Sequence, residues 1–314
     1  MAAKIKALVL LSGGLDSMLA TKILQEQGIK VTGLSFKSYF FSTNKAQKAA
    51  RQLKIPLKII DFSREHLETV KKPKHGYGKA ANPCIDCHLL MLQKTKEIMA
   101  SGWDFVATGE VLGERPFSQN KKALIEIAEK SGLDNRLLRP LSAAFLPITL
   151  PEKKGWVKRN KLPAIKGRSR QIQLALAKKY KIKSFPQPAG GCILTEKEFA
   201  KKLFGLFEKW PVATGDDVQL LRLGRHFWAG KTIIVLGRNK EENEKLEKLA
   251  LKKDILIIPK NFPGPTALLR GEKIDLIIIK KAKKMILSYT KKSVQSPQFA
   301  VTELSAHNKP VNPH

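Results

Sequence analysis

Through the first 110 residues, short apolar runs alternate with amphipathic stretches. Residues 5–11 (IKALVLL), 30–36 (KVTGLSF), 57–61 (LKIID) and 105–109 (FVATG) are short, bounded by polar or glycine positions, and read as strands. Residues 18–27, 46–53 and 86–100 lie around them and read as helices. This rhythm predicts a Rossmann-like α/β fold, with a mostly parallel sheet covered on both faces. Ligands of such sheets lie beyond the carboxyl ends of the strands. The pattern restarts near residue 216. Residues 218–223, 232–236, 255–258 and 274–279 read as strands and 241–251 as a charged helix, so a second, smaller α/β domain is expected. The predicted organisation is a first domain over 1–150, a connecting segment over 151–214, the small domain over 215–290 and a mobile polar tail over 291–314.

Charge changes this picture. The chain of 314 residues carries 58 Lys and Arg against 27 Asp and Glu, a formal net charge of +31. Such an excess favours a polyanionic partner, RNA or DNA before an anionic membrane surface. Residues 151–184 hold twelve Lys and Arg against Glu152 alone. A block of one sign suits a phosphate backbone, whereas solvated helix faces mix signs. No apolar run approaches the roughly 20 residues of a membrane span. Three cysteines make no disulfide framework and point to a reducing, cytoplasmic setting.

Two constellations carry candidate chemistry. The first is SGGLDS, residues 12–17, between the first strand and first helix. A helix N-terminus there gathers unpaired N–H groups and positive potential. Gly13 and Gly14 admit an anion close to the backbone, and Ser12 and Ser17 add hydroxyl donors. Asp16 suits a phosphate site only with Mg2+ or a substrate hydroxyl beside it. The plainer reading is a helix capped by Ser12 or Asp16. The second constellation is the cysteines: Cys84 and Cys87 in NPCIDCH, and Cys192 in AGGCILT. Thiols three apart at a helix start can face one centre, where the helix terminus lowers their pKa. Zinc completed by His88 or His75, a 4Fe–4S cluster with one iron open, and a metal-free dithiol all remain open readings. Glu110 and Arg115 follow a strand end, where active-site groups collect, and Arg139 in LLRPL is a further candidate.

The loop resembles the pyrophosphate loop of the PP-loop ATPases, written Ser-Gly-Gly-x-Asp-Ser. With NPCIDCHLLML, ATGEVLGERPFSQ, LLRPLSA and AGGCILT, residues 5–195 resemble the tRNA thiouridine synthases of that class (the 4-thiouridine and 2-thiouridine enzymes). The resemblance implies ATP and Mg2+ as cofactors, bound by Ser12, Gly13, Gly14, Leu15, Asp16 and Ser17, with Phe36 and Gly109 bordering the nucleotide. It implies a 4Fe–4S cluster on Cys84, Cys87 and Cys192, as in members with a C-x-x-C and a distant third cysteine. In members without a cluster, Cys192 would carry a persulfide and Cys87 would resolve it. Asp16 and Glu110 complete the catalytic candidates. The implied reaction transfers AMP to a uridine carbonyl of tRNA and replaces the oxygen by sulfur. Its partners would be tRNA, a sulfur donor (sulfide or a cysteine desulfurase) and a second copy of the chain in a homodimer. Residues 216–282, with LLRLGRHFW, IIVLGRNKEENEKLEKLA and FPGPTALLRG, resemble the RNA-binding module of the NFACT proteins. The 4-thiouridine synthases place a THUMP RNA-binding domain before the loop. Here the loop follows the first strand, so the basic block and the C-terminal domain are expected to grip the RNA. Two rivals stand beside this reading. One is a deazaguanine-type synthase with a zinc site, which needs four clustered cysteines. The other is an RNA-binding protein without enzymatic activity.

Overall fold

A computed structural model describes residues 4–133, 135–187, 192–290 and 293–304. The chain divides into two compact units, Met1–Lys197 and Glu198–His314.

In the first unit, β1 (Lys6–Leu10) leads into α1 (Leu15–Glu26), β2 (Lys30–Lys37), α2 (Asn44–Leu53), β3 (Leu57–Asp61), α3 (Ser63–Lys71), α4 (Cys84–Met99), β4 (Phe105–Thr108), α5 (Lys121–Lys130) and β5 (Leu137–Leu138). The sheet runs β3-β2-β1-β4-β5, and every pairing is parallel. Strand order therefore reverses beside β1, between β1 and β4, which is where ligands of such sheets bind. The central strands are buried on both faces, with Ala7, Leu8, Val9, Phe105, Val106 and Ala107 inaccessible to water. The basic stretch belongs to this unit, not to a connector. It forms α6 (Leu150–Lys153) and α7 (Gln171–Lys179), and its Val157, Ile165, Ala177 and Ile182 enter the cores around β1 and α1. Its lysines stay outside while these few apolar residues anchor it.

The second unit contains α8 (Lys197–Lys209), α9 (Gly215–Leu220), β6 (Arg225–Ala229), β7 (Thr232–Leu236), α10 (Lys240–Leu249), β8 (Ile255–Pro259), β9 (Ala267–Arg270), α11 (Leu276–Ser288) and β10 (Phe299–Glu303). Its sheet, β10-β8-β9-β7-β6, is antiparallel throughout. Two expected strands are helices. Residues 218–220 close α9, which Thr214 and Asp217 start with a reciprocal capping box, and 221–223 form the turn after it. Residues 274–279 open α11, because the Asp275 carboxylate accepts from the Ile278 amide and caps the helix. Only one side of α11 meets the core, through Ala282 and Ile286, and Leu276 and Ile277 stay exposed. Residues 299–303, expected in a mobile tail, form β10 on the edge of β8, with Phe299 packed on Phe262 at 5.5 Å. Residues 291, 292 and 305–314 of that expected tail lie outside the described residues.

Candidate active site

The loop after β1 is built by two glycines. Gly13 has φ +81°, and a Cβ there would overlap the backbone of Lys45. Gly109, just past β4, presses on the loop so closely that a Cβ would overlap the Ser17 amide. The two strand ends at the reversal point therefore touch through glycine backbone. Helix α1 starts at Gly14 with no side-chain cap. Ser12 accepts from the Gly14 amide at 3.2 Å, and the Ser17 hydroxyl donates to the Gly14 carbonyl at 2.8 Å. The plain reading, a helix capped by Ser12 or Asp16, is thus not what the chain does, and the first-turn amides keep their donors. Leu15 faces the core, 1% exposed, and contributes to the loop through its backbone alone. Asp16 Oδ1 is buried without a hydrogen-bond partner among the described residues. Burial pushes the Asp16 carboxyl above its ordinary range, against the opposing pull of Arg170, Gln173 and Arg115.

Glu110 sits differently from the expected catalytic role. Its Oε2 accepts from Thr108 Oγ1 and Arg139 Nε, both at 2.9 Å, and its Oε1 pairs with His88 Nδ1 at 2.8 Å. Burial alone would raise its pKa. The Arg139 guanidinium and His88 win and hold it well below the usual carboxylate range. With both oxygens taken, Glu110 is a positioning group that ties β4 to α4 and to the strand of Leu138. Phe36 also departs from expectation. Its side chain is 5% exposed and packs on Phe62 at 5.0 Å, so a nucleotide can meet only the backbone there.

The three cysteines are brought together. Cys84 and Cys87 occupy the first turn of α4, and Cys192 begins the short turn Ile193–Thr195. The Ala81 amide donates to the Leu194 carbonyl at 3.0 Å, and Asn82 Nδ2 donates to Cys192 Sγ at 3.5 Å. Each thiol feels at least one of the others. The expected lowering of their pKa does not occur. Burial pushes Cys84 up, pushes Cys87 up further with help from Cys192 and Cys84, and pushes Cys192 up to about 11. At Cys84 and Cys192 desolvation outweighs the opposing pull of backbone hydrogen bonds and Arg115. The histidines proposed as zinc ligands are engaged elsewhere. His75 bridges Asp86 Oδ1 at 2.7 Å and Glu126 Oε1 at 3.0 Å, and His88 is held by Glu110. Among the described residues, no three His, Cys, Asp or Glu side chains stand ready to hold a metal ion.

The Arg115 charge opposes the rise at Asp16 in the loop and at the Cys84 and Cys192 thiols. Arg170 and Gln173 of the basic stretch also face Asp16, as does Glu114, whose carboxyl is pushed up by burial and then by Asp16. Arg170 was visible only as one member of a charge block, and Gln173 gave no signal in the sequence.

Residues 5–138 match the family model described as the tRNA methyl transferase HUP domain, and residues 224–312 match that of the NFACT protein RNA binding domain. Each match covers less than half of the chain, so the two segments are similar to these families over those residues. Among curated relatives, it is 36% identical over 118 residues to the tRNA-specific 2-thiouridylase MnmA of Sulfurimonas denitrificans, covering 34% of this chain and 35% of that protein. It is 26% identical over 215 residues to that of Thiobacillus denitrificans, covering 63% of this chain and 57% of that one. The chain thus spans from about a third to somewhat over half of these relatives. A solved structure described as a 4-thiouridine synthetase–RNA complex with bound ATP aligns with TM-score 0.37 and 20% identity, over 56% of this chain and 51% of that one. Among the described residues, no helix is long and apolar enough to cross a membrane.

Proposed function

We propose that the chain is an ATP-dependent tRNA thiouridine synthase. One observation carries this reading: the glycine-built loop of residues 12–17 leaves the first turn of α1 without a side-chain cap where the strand order reverses, an anion site in a chain with three cysteines and a formal net charge of +31. The similarity to 2-thiouridylases and the RNA-binding module support tRNA as the substrate.

A uridine carbonyl oxygen is a poor leaving group and must be activated before sulfur can replace it. In the proposed reaction the first-turn amides of α1, with Ser12 and Ser17, receive the β- and γ-phosphates. Asp16 would hold the Mg2+ that accompanies them. The uridine oxygen attacks the α-phosphate, the α–β phosphoanhydride bond breaks, and pyrophosphate leaves. Hydrosulfide then forms a C–S bond at the same carbon, the C–O bond breaks, and AMP departs with the original oxygen. The sulfur loses its proton to solvent, and no oxidant or reductant is consumed. Arg115 offsets the negative charge that sulfur and phosphate bring into a partly buried site.

The finer form of the proposal is that Cys84, Cys87 and Cys192 hold a 4Fe–4S cluster. Cys84 and Cys87 in the first turn of α4, with Cys192 on the turn tied to it by the Ala81–Leu194 and Asn82–Cys192 hydrogen bonds, offer sulfur alone once both nearby histidines are committed elsewhere, a donor set that suits a cluster with one open iron better than zinc. Such a cluster, when bound, supplies a coordination position for inorganic sulfide. Iron and acid-labile sulfide in anaerobically purified chain, lost in Cys84→Ala, support it; stoichiometric zinc overturns it. The reaction class itself is tested with labelled ATP. AMP and pyrophosphate formed in equal amounts, only when tRNA and sulfide are present, are expected. ADP and phosphate, or no turnover with tRNA bound, overturn the reading in favour of a different ATPase or a binding protein.

A further inference from the structure

Helix α7 runs beside α1 and in the same direction. At the far end, Tyr180 donates to Glu26 Oε2 at 2.7 Å. In the middle, Ala177 and Leu176 pack in the cluster of Leu15, Met18 and Leu19. At the near end, Arg170 and Gln173 face Asp16. Two aligned helices thus bring two N-termini to one place, and each carries unpaired amides and partial positive charge. Arg170, the residue that begins α7, gives the helix no side-chain cap. The turn before it is fixed. The Gly167 amide donates to the Leu112 carbonyl at 2.7 Å, and Lys166 bridges Leu112, so α7 is tied to the chain emerging from β4.

Three buried polar atoms of these residues have no hydrogen-bond partner among the described residues: Asp16 Oδ1, Arg170 Nε and Gln173 Oε1. Gln173 is 1% exposed. Buried polar atoms are almost always paired, and a set left open at a helix terminus marks a place completed by a ligand. The sign of that ligand follows from the surroundings. Two helix N-termini and the guanidinium groups of Arg115 and Arg170 favour an anion. The carboxylates of Asp16 and Glu114 oppose it unless a divalent cation arrives as well. A magnesium-bound polyphosphate satisfies both conditions.

We propose that the first turn of α7, through Arg170 and Gln173, is the second half of the polyphosphate site. With residues 12–17 it holds the β- and γ-phosphates of a nucleoside triphosphate, and inorganic pyrophosphate after release. Arg170 donates to the phosphates, and Gln173 keeps the Asp16 carboxylate turned toward the cation. This assignment rests on the ATP-using reading above. It reassigns part of the basic block: Arg170 serves the nucleotide, while the exposed lysines beyond it remain for RNA.

Calorimetric titration of the full chain with MgATP, magnesium pyrophosphate and AMP tests the assignment, with thermal melts to show that each variant folds. Arg170→Ala is expected to weaken MgATP and pyrophosphate at least tenfold and to leave AMP within twofold. Gln173→Ala is expected to weaken MgATP more than fivefold. Lys122→Ala, exposed on α5, is expected to leave MgATP and pyrophosphate binding unchanged. Should Arg170→Ala fold poorly, Arg170→Gln gives the same reading with less disturbance. Folded Arg170 variants that bind MgATP and pyrophosphate as tightly as the parent chain overturn the assignment alone. A parent chain that binds neither ligand overturns it together with the ATP-using reading.

Discussion

The ends of β1 and β4 lie side by side, and each carries an acidic side chain under opposite conditions. After β4, Glu110 is fully enclosed, and both oxygens are met by Thr108, Arg139 and His88. After β1, Asp16 has an oxygen that meets nothing among the described residues. Burial acts on both carboxyls in the same sense, yet only Glu110 has partners strong enough to keep it ionised well below the usual range. A satisfied buried carboxylate is framework, since removing it strands its partners. An unsatisfied one at a helix N-terminus waits for a counter-ion. The second unit repeats the framework case. Arg270, 7% exposed, is held by Asp254 and Asp217 at 2.7 and 3.0 Å.

This contrast can be broken from either side. The largest effect is expected from Glu110→Ala, which leaves the buried Arg139 charge unpaired and should destabilise the first unit by about 3–5 kcal/mol in urea unfolding. A loss below about 1 kcal/mol would remove the distinction between the two carboxylates. Asp16→Ala should do the reverse: unfolding unchanged within about 1 kcal/mol, but tRNA-dependent AMP formation reduced on the order of a hundredfold or more. Acid then tests two histidines, the buried His66 in the first unit and the half-buried His226 in the second. His66 and His226 are both held near pKa 4 by burial, against about 6.5 in an unfolded chain. The unfolded chain binds the extra protons between those values. Stability is therefore full above pH 6.5 and falls as pH drops toward 4, by about 3 kcal/mol for each histidine. His66→Phe should flatten that slope for the first unit only, as read by urea midpoints across pH. Last, Gly109→Ala places a methyl group against the Asp16–Ser17 backbone and should weaken MgATP binding about tenfold by shifting the loop. Unchanged binding would show that the two strand ends are not pressed together.

Much of the first unit was legible because its central strands are buried on both faces and interrupted by amphipathic helices. Residues 57–61 and 232–236 coincide with β3 and β7. The loop was legible because two glycines at a strand–helix junction have few other uses. The misassigned elements share a cause. In α9 and α11, local runs such as VQLLRL and IDLIII favour a strand by composition, but caps at Thr214 and Asp275 set the backbone first. Strand β10 was hidden because its sequence, FAVTE, is half polar and pairs only at a sheet edge. The site was half legible. Cys84, Cys87 and Cys192 announced themselves by spacing, but their raised pKa values depend on burial that no spacing encodes. Phe36 looked like a nucleotide contact because it ends a strand, and its packing on Phe62 took the side chain away. Arg170 and Gln173 became visible only when α7 was seen to run parallel with α1.

The central claim is tested most directly by the nucleosides of tRNA treated with the full chain. Unmodified tRNA is incubated anaerobically with the iron-loaded protein, MgATP and sulfide, digested to nucleosides and analysed by mass spectrometry. The account predicts one thiouridine, absent without ATP and absent with Asp16→Ala. ATP converted to AMP while every uridine keeps its oxygen would contradict it.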